Sequence, residues 1–385
     1  MASSPKTSSP KTSASKTSAS TTSAPTSSAT TSSASSFRQR PWVRWGAPLL
    51  LVAGLAVLPL VMTEGANDTL ARIGVFAVAV LGLNVVMGYT GQVSLGQIFF
   101  LGLGAYVTAY GVQSGWNIVL VFVLTCLIPA VAGLVVALAA ARLGGLAIAM
   151  VTIALPIVGV PLAKRLSDFT GGSQGLSARF VEAPEGSGLY DDQWQLYLVL
   201  VIGGIVFLMT SLLVRGKYGR AFAIVKGNEN VASSMGISPY RYKVLAFTIA
   251  SLIGGVSGFL YMVVVQYTSP ETMSFGHSIE LLVAMVIGGA GSIVGSLLGG
   301  AFYVIVPDVT NAIDPSLTAL LQGALLLAVL FVLPGGLVSL PRALMRRLRR
   351  SPAGRGSAAP PTTPSSTPGS GTAAEQSETE RQGHA

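Results

Sequence analysis

The sequence predicts an all-α, polytopic membrane protein, and three observations lead there. Of 385 residues, 51% are hydrophobic and only 10% are charged, whereas soluble domains carry about 25% charged residues. Long runs hold no charge at all, the longest being the 69 residues from Ile73 to Ala141. These runs do not alternate polar and apolar positions, which excludes a transmembrane barrel. A lipid-exposed backbone must then satisfy its own hydrogen bonds as helix.

The elements follow in chain order. The first 36 residues include 23 Ser or Thr, with Lys6, Lys11 and Lys16 in a loose five-residue repeat. With no apolar face to bury, residues 1–40 are expected to be a disordered tail. It is not a signal peptide, because the apolar run begins only near Trp45 and is too long for an h-region. A membrane domain over 41–342 follows, since about 20 apolar residues cross the hydrocarbon. Trp45–Met62 is one uncharged run. Ile73–Ala141 holds three, divided at Gly88-Tyr-Thr-Gly-Gln-Val-Ser94 and Gln113-Ser-Gly-Trp-Asn117. Further runs are Leu143–Ala163, Gln193–Val214, Val244–Pro270, Leu281–Pro307 and Pro315–Pro341. Residues 343–385 begin basic and, from Ser351, become rich in Pro, Ser, Gly and Thr, a second disordered tail.

Charge sets the orientation. With the N-terminus in the cytoplasm, Arg38, Arg40, Arg44, Arg142, the 215–243 loop and the 342–350 cluster all fall inside. The acids Glu64, Asp68, Asp168, Glu182, Glu185, Asp191, Asp192, Glu271, Asp308 and Asp314 fall outside. A single crossing by Leu281–Pro307 would put Asp308 and Asp314 inside and the Arg-rich tail outside. That segment is therefore expected to enter and return as a short or re-entrant pair, broken at Gly288-Gly-Ala-Gly-Ser292. The earlier pair, Ile73–Met87 and Leu95–Gly111, is also short and glycine-broken. The expectation is about ten membrane segments, with eight full crossings as the floor and both termini cytoplasmic.

Composition excludes most enzyme chemistry. One cysteine, Cys126, and two histidines, His277 and His384, leave no disulfide framework and little room for a metal site or imidazole acid–base work. No metal or cofactor is expected. The net charge of +9 is no nucleic-acid signal, because 17 of the 24 basic residues lie between Arg44 and Arg350 in clusters separated by apolar runs. GxxxxGK[ST] is absent, so the chain does not hydrolyse ATP itself.

Two short, glycine-interrupted pairs in corresponding halves are a sequence pointer to a transport path. The first break offers Gly91, Gln92, Ser94 and Gln97, with Thr90; the second offers Gly288, Gly289, Gly291 and Ser292. Gly-Leu-Gly-Ala-Tyr106 after the first break is weakly like Gly-Gly-Ala-Phe-Tyr303 after the second, which suggests an internal repeat. Close helix packing would use the same glycines, and the parity argument favours the path. Glu280, three residues after His277, reads as a cap or interfacial anchor rather than a proton relay.

The loop from Arg215 to Lys243 carries six basic residues against Glu229. Within it, Asn228-Glu-Asn-Val-Ala-Ser-Ser-Met-Gly236 predicts a short helix, with Asn228 as N-cap, Glu229 in the first turn and Gly236 as the stop. A capped helix in such a loop suits a docking partner. A basic loop held on anionic lipid is the other reading.

On these blocks, with Gly102-Leu-Gly-Ala-Tyr106, Thr170-Gly-Gly-Ser-Gln-Gly-Leu176, Gly219-Arg-Ala-Phe-Ala-Ile-Val-Lys-Gly-Asn-Glu229, Met235-Gly-Ile237 and Ser269-Pro-Glu271, the chain resembles the inner-membrane permeases of branched-chain amino acid ABC transporters, of the LivM type. The likeness covers roughly Ile73–Leu340. It implies a type II-importer-like, non-catalytic subunit of a bacterial inner membrane. Its partners would be a LivH-like second permease, two cytoplasmic ATPase subunits and an extracytoplasmic substrate-binding protein. It further implies that Arg220, Asn228, Glu229, Met235 and Gly236 belong to the element that couples to the ATPase. Lys226-Gly227 stands where the family commonly has Arg-Glu, and Gln97 where a His is frequent.

Branched-chain amino acids are the first substrate class that the resemblance implies; urea or short amides are alternatives. A neutral, polar membrane path suits a small zwitterion or an amide. A proton- or sodium-driven secondary transporter using Glu280 or His277 is a rival from another class, and a passive channel is a second.

Overall fold

The computed structural model describes residues 59–140, 145–183 and 188–313, together with 320, 323–324 and 337–339. Both expected tails, nearly all of the run 45–62, the basic cluster 342–350 and most of the run 315–341 lie outside the described residues.

The described chain is helical apart from short connections. Its elements are α1 (Glu64–Leu83), which continues as a π-helical turn over Asn84–Tyr89, then α2 (Gln97–Gln113), α3 (Ile118–Ala140), α4 (Gly145–Arg165) and the single turn α5 (Ser167–Thr170). A two-residue strand β1 (Leu176–Ser177) precedes α6 (Asp191–Arg215), α7 (Lys217–Gly227), α8 (Glu229–Ser234) and α9 (Pro239–Val265). Strand β2 (Tyr267–Thr268) pairs antiparallel with β1, Leu176 opposite Thr268. α10 (Phe275–Gly288) and α11 (Ile293–Ile313) complete the set.

Among the described residues, six helices are long and apolar enough to cross a membrane: Glu64–Tyr89, Ile118–Ala140, Ile148–Arg165, Asp191–Arg215, Pro239–Val265 and Ile293–Ala312. α2 and α10 are shorter, at 17 and 14 residues. A 14-residue helix is about 21 Å long, less than the ~30 Å of hydrocarbon. The first broken pair differs from expectation in one respect. Its leading helix begins at Glu64 rather than Ile73, because the charges that ended the uncharged run are accommodated within the helix. Arg72 pairs with Asp68 one turn earlier at 2.8 Å. Asn67 reaches across to donate to Asp192 at the start of α6, at 2.8 Å.

α1 and α9 form the centre. Of their most apolar stretches, 67% and 72% of residues are buried, against 17% for α6 at the periphery. Lipid tails are as apolar as leucine, so helices gain from close approach rather than from hydrophobic exclusion. The crossings accordingly run backbone to backbone. A Cβ at Gly104 of α2 would lie 2.6 Å from the Gly255 carbonyl oxygen of α9. A Cβ at Gly300 of α11 would lie 2.5 Å from the Ala77 amide of α1. Both second helices of the broken pairs thus lean on the central helices through small residues. Thr108 and Thr125 hydroxyls, 3.0 Å apart, add a polar tie between α2 and α3.

The second pair is a tight hairpin. Gly288 lies against Gly295, and Ala284 against Gly299, an antiparallel register across a four-residue turn. This is the go-and-return arrangement that charge parity required. The first pair is different: α2 leaves α1 and packs on α9 and α3.

Candidate functional site: two helix breaks and a basic loop

The first break begins with the widened turn of α1. Thr90 Oγ1 donates to the Val86 carbonyl at 2.5 Å, and the Gln92 amide donates to the same oxygen at 3.2 Å. Gly91 then turns the chain at φ +73°, a left-handed conformation that side chains rarely adopt. The freed polar groups are satisfied from the centre of the fold. Gln92 Nε2 donates to Thr90 Oγ1 at 3.0 Å and towards the Lys243 carbonyl at 3.4 Å. Gln97 Nε2 donates to the Ala250 carbonyl at 3.0 Å. Leu95 donates its amide to Thr152 Oγ1 of α4 at 3.3 Å. Gln92, Ser94 and Gln97 are buried; Gly91 is exposed.

The second break turns on Gly289 and Gly291, with φ of +122° and +77°. Ser292 opens α11, its Oγ accepting from the Gly295 amide at 3.1 Å as an N-cap does. Gly288 and Gly289 are buried, while Gly291 and Ser292 are half-buried.

One side chain joins the two breaks. Asn84, fully buried in the π turn, accepts from the Gly291 amide at 2.7 Å. Its Nδ2 donates to the Ser292 carbonyl at 2.9 Å and to Ser296 Oγ at 3.0 Å. Gly88 makes room: a Cβ there would meet Asn84 Oδ1 and the Gly291 amide. Sequence reasoning passed over Asn84, although a lone amide inside a 69-residue uncharged run was a signal in itself. A polar group at that depth needs a partner.

The basic loop reaches the same place. The expected capped helix is present as α8: Asn228 Oδ1 accepts from the Asn230 and Val231 amides at 2.9 and 3.3 Å, and Gly236 ends it at φ +76°. A second helix, α7, precedes it and was not foreseen. Its Phe222 is fully buried and meets the Tyr242 ring edge-on at 6.1 Å, which anchors the loop to the start of α9. From the end of α7, Lys226 Nζ donates to the Gly88 carbonyl at 2.6 Å. Lys243, almost buried in α9, pairs with Glu229 of α8 at 2.5 Å. The remaining residues expected to couple are open to a partner. Arg220, Asn228, Glu229, Met235 and Gly236 are exposed, and Met235 lies one helical turn from the exposed Val231.

At the opposite end, His277 Nδ1 lies 3.0 Å from Glu280 Oε2 and 3.2 Å from the Tyr303 hydroxyl. Glu280 thus has local partners close to the first turn of α10.

Broken helices packed through glycine around two buried central helices, with a basic loop touching the break, define a polytopic transport permease. A model of the family described as "Branched-chain amino acid transport system / permease component" matches residues 65–330, and the chain belongs to that family. It is a permease subunit of an ABC importer and a non-catalytic one. It is 28% identical to the "High-affinity branched-chain amino acid transport system permease protein LivM" of Salmonella typhimurium, over 76% of this chain and 74% of the relative. To the LivH permease of Escherichia coli it is 24% identical, over 69% and 92%. To the "Autoinducer 2 import system permease protein LsrC" of Klebsiella pneumoniae it is 28% identical, over 35% and 40%. No solved structure matches the chain significantly.

Proposed function

We propose that this chain forms part of the translocation path for branched-chain amino acids, with both termini cytoplasmic and the 215–243 loop receiving the stroke of a separate ATPase. Its partners in this reading are a LivH-like permease, two ATPase subunits and an extracytoplasmic binding protein. The substrate class rests on the breadth of the LivM likeness, 76% of the chain, against 35% for LsrC.

The observation that carries the coupling is the Lys226 ammonium on the Gly88 carbonyl, 2.6 Å apart. The loop that faces the ATPase in this reading holds the end of the broken helix α1 by a charge-assisted bond. Such bonds are about twice as strong as neutral ones. From Gly88 the path is short: Asn84, one turn back, holds Gly291 and Ser292. A displacement of α7 and α8 is therefore felt at both breaks. The neutral lining at the breaks, Gln92, Ser94, Gln97 and Ser292, then serves solute passage. Val231 and Met235 offer the apolar contact, and Arg220 the charge, for the ATPase groove.

The test is uptake of radiolabelled leucine by the assembled transporter in vesicles. Uptake is expected to continue when the proton gradient is collapsed and ATP is kept, and to stop without the ATPase. Replacing Arg220, Glu229 and Met235 together is expected to release the ATPase on co-purification while the permease stays folded. Retained transport and co-purification would remove the coupling assignment. Leucine flux through this chain alone would make it a channel.

A further inference from the structure

Beyond the breaks, a cavity of about 310 Å³ opens at the face opposite the 215–243 loop. It is bounded by both broken pairs and by α9. It descends from Glu271 and His277 at the face to Ile98 and Leu101 in the first turns of α2, next to Gln97. We infer that this cavity is a binding station for an amino-acid zwitterion with an aliphatic side chain, enclosed within this single chain. The inference rests on the transport reading above and names where the substrate first meets this subunit.

Three features support it. The first is size: 310 Å³ sits at the lower end of the range of small-molecule pockets. It suits a ligand of leucine size with a few waters, each needing about 30 Å³.

The second is a fixed apolar wall. Phe76 stacks on Tyr303 with centroids 4.1 Å apart and meets Tyr261 edge-on at 6.2 Å. Tyr303 is held in turn through its hydroxyl by His277. Aromatic rings locked in this way present contact area at little entropic cost on binding.

The third is the charge at the mouth. Glu271 lines the cavity and pairs with Lys164 of α4 at 2.9 Å. Both groups are exposed, at 65% and 44%, so the pair itself contributes little. A ligand that carries its own ammonium and carboxylate can take the place of each partner at small cost: the ammonium on Glu271, the carboxylate on Lys164. An uncharged solute such as urea gains nothing from this exchange. The lining thus favours zwitterions with aliphatic side chains over amides, and it discriminates at the permease as well as at the binding protein.

The assembled transporter, reconstituted without its binding protein, tests this with L-photoleucine, the diazirine analogue of leucine. Irradiation is expected to label Phe76, Tyr261 or Tyr303, and a large excess of L-leucine to reduce that label at least tenfold. In the complete system, Glu271→Gln is expected to raise the KM for leucine about tenfold while maximal rate and stimulated ATP hydrolysis stay unchanged. Lys164→Gln is expected to act in the same direction. Leucine uptake with no competed label at these three rings, or with an unaltered KM in both variants, would overturn the cavity and leave the transport reading standing. Failure of the unaltered complex to move leucine would overturn both.

Discussion

The Asn84 carboxamide oxygen accepts the Gly291 amide at 2.7 Å, across 207 positions of sequence. Removing this side chain strands groups on both breaks. Asn84→Leu leaves the Gly291 N–H and the Ser292 carbonyl without their buried partner, at about 1–3 kcal/mol for each. Thermal unfolding of the purified complex is expected to show a lower midpoint, and leucine uptake to fall below a tenth. Asn84→Asp keeps the acceptor for Gly291 but loses the donor to Ser292, and adds a charge at a buried position. It is expected to fare no better than Leu, and wild-type behaviour of either variant would show that the junction is dispensable.

Lys226 reads differently from an ordinary surface lysine. If its bond to Gly88 carries the stroke, Lys226→Met spares assembly and ATP hydrolysis but lowers uptake per ATP about tenfold. Lys226→Arg, which keeps a donor of similar reach, restores most of the ratio. Parallel measurement of ATP turnover and uptake separates this from simple misfolding, since a misfolded complex loses both.

The Lys243–Glu229 pair is asymmetric. The lysine side chain is 8% exposed and the glutamate 54%. Glu229→Gln leaves a nearly buried ammonium without its counter-charge, at about 1–3 kcal/mol. Lys243→Met leaves only a solvated carboxylate. The first variant is expected to be the less stable of the two on chemical denaturation; the reverse order would mean that the pair is not formed in the membrane.

Glycine packing gives an internal control. A Cβ at Gly258 would sit 2.2 Å from the Leu101 carbonyl, with further backbone atoms close by, whereas at Gly204 nothing lies within 4 Å. Gly258→Ala is therefore expected to reduce the yield of folded permease severalfold, and Gly204→Ala to leave it unchanged, by size-exclusion profile of the detergent-solubilised chain.

What was legible in the sequence was local. Asn228 and Gly236 bracket their helix because capping and a left-handed stop act within a few residues. Gly91 and Gly291 mark the breaks because no other residue takes those φ values freely. What was illegible was distant. Gln92 and Gln97 are answered by the carbonyls of Lys243 and Ala250, 151 and 153 positions away. No local pattern shows whether such an amide lines a path or ties two helices. The start of α1 was missed for a related reason. Scanning for uncharged runs stops at Arg72, while the helix continues past it through the Asp68 pair.

The wide turn over Asn84–Tyr89 has one more consequence. A π turn houses one residue beyond the regular winding. Deleting a single residue there would restore ordinary winding and swivel everything after it by about 100° relative to α1. Asn84 and Gly88 would no longer share the face that meets Gly291. The helix thus carries one residue of slack at the point where two distant halves of the chain are buttoned together, and trimming that slack undoes the button.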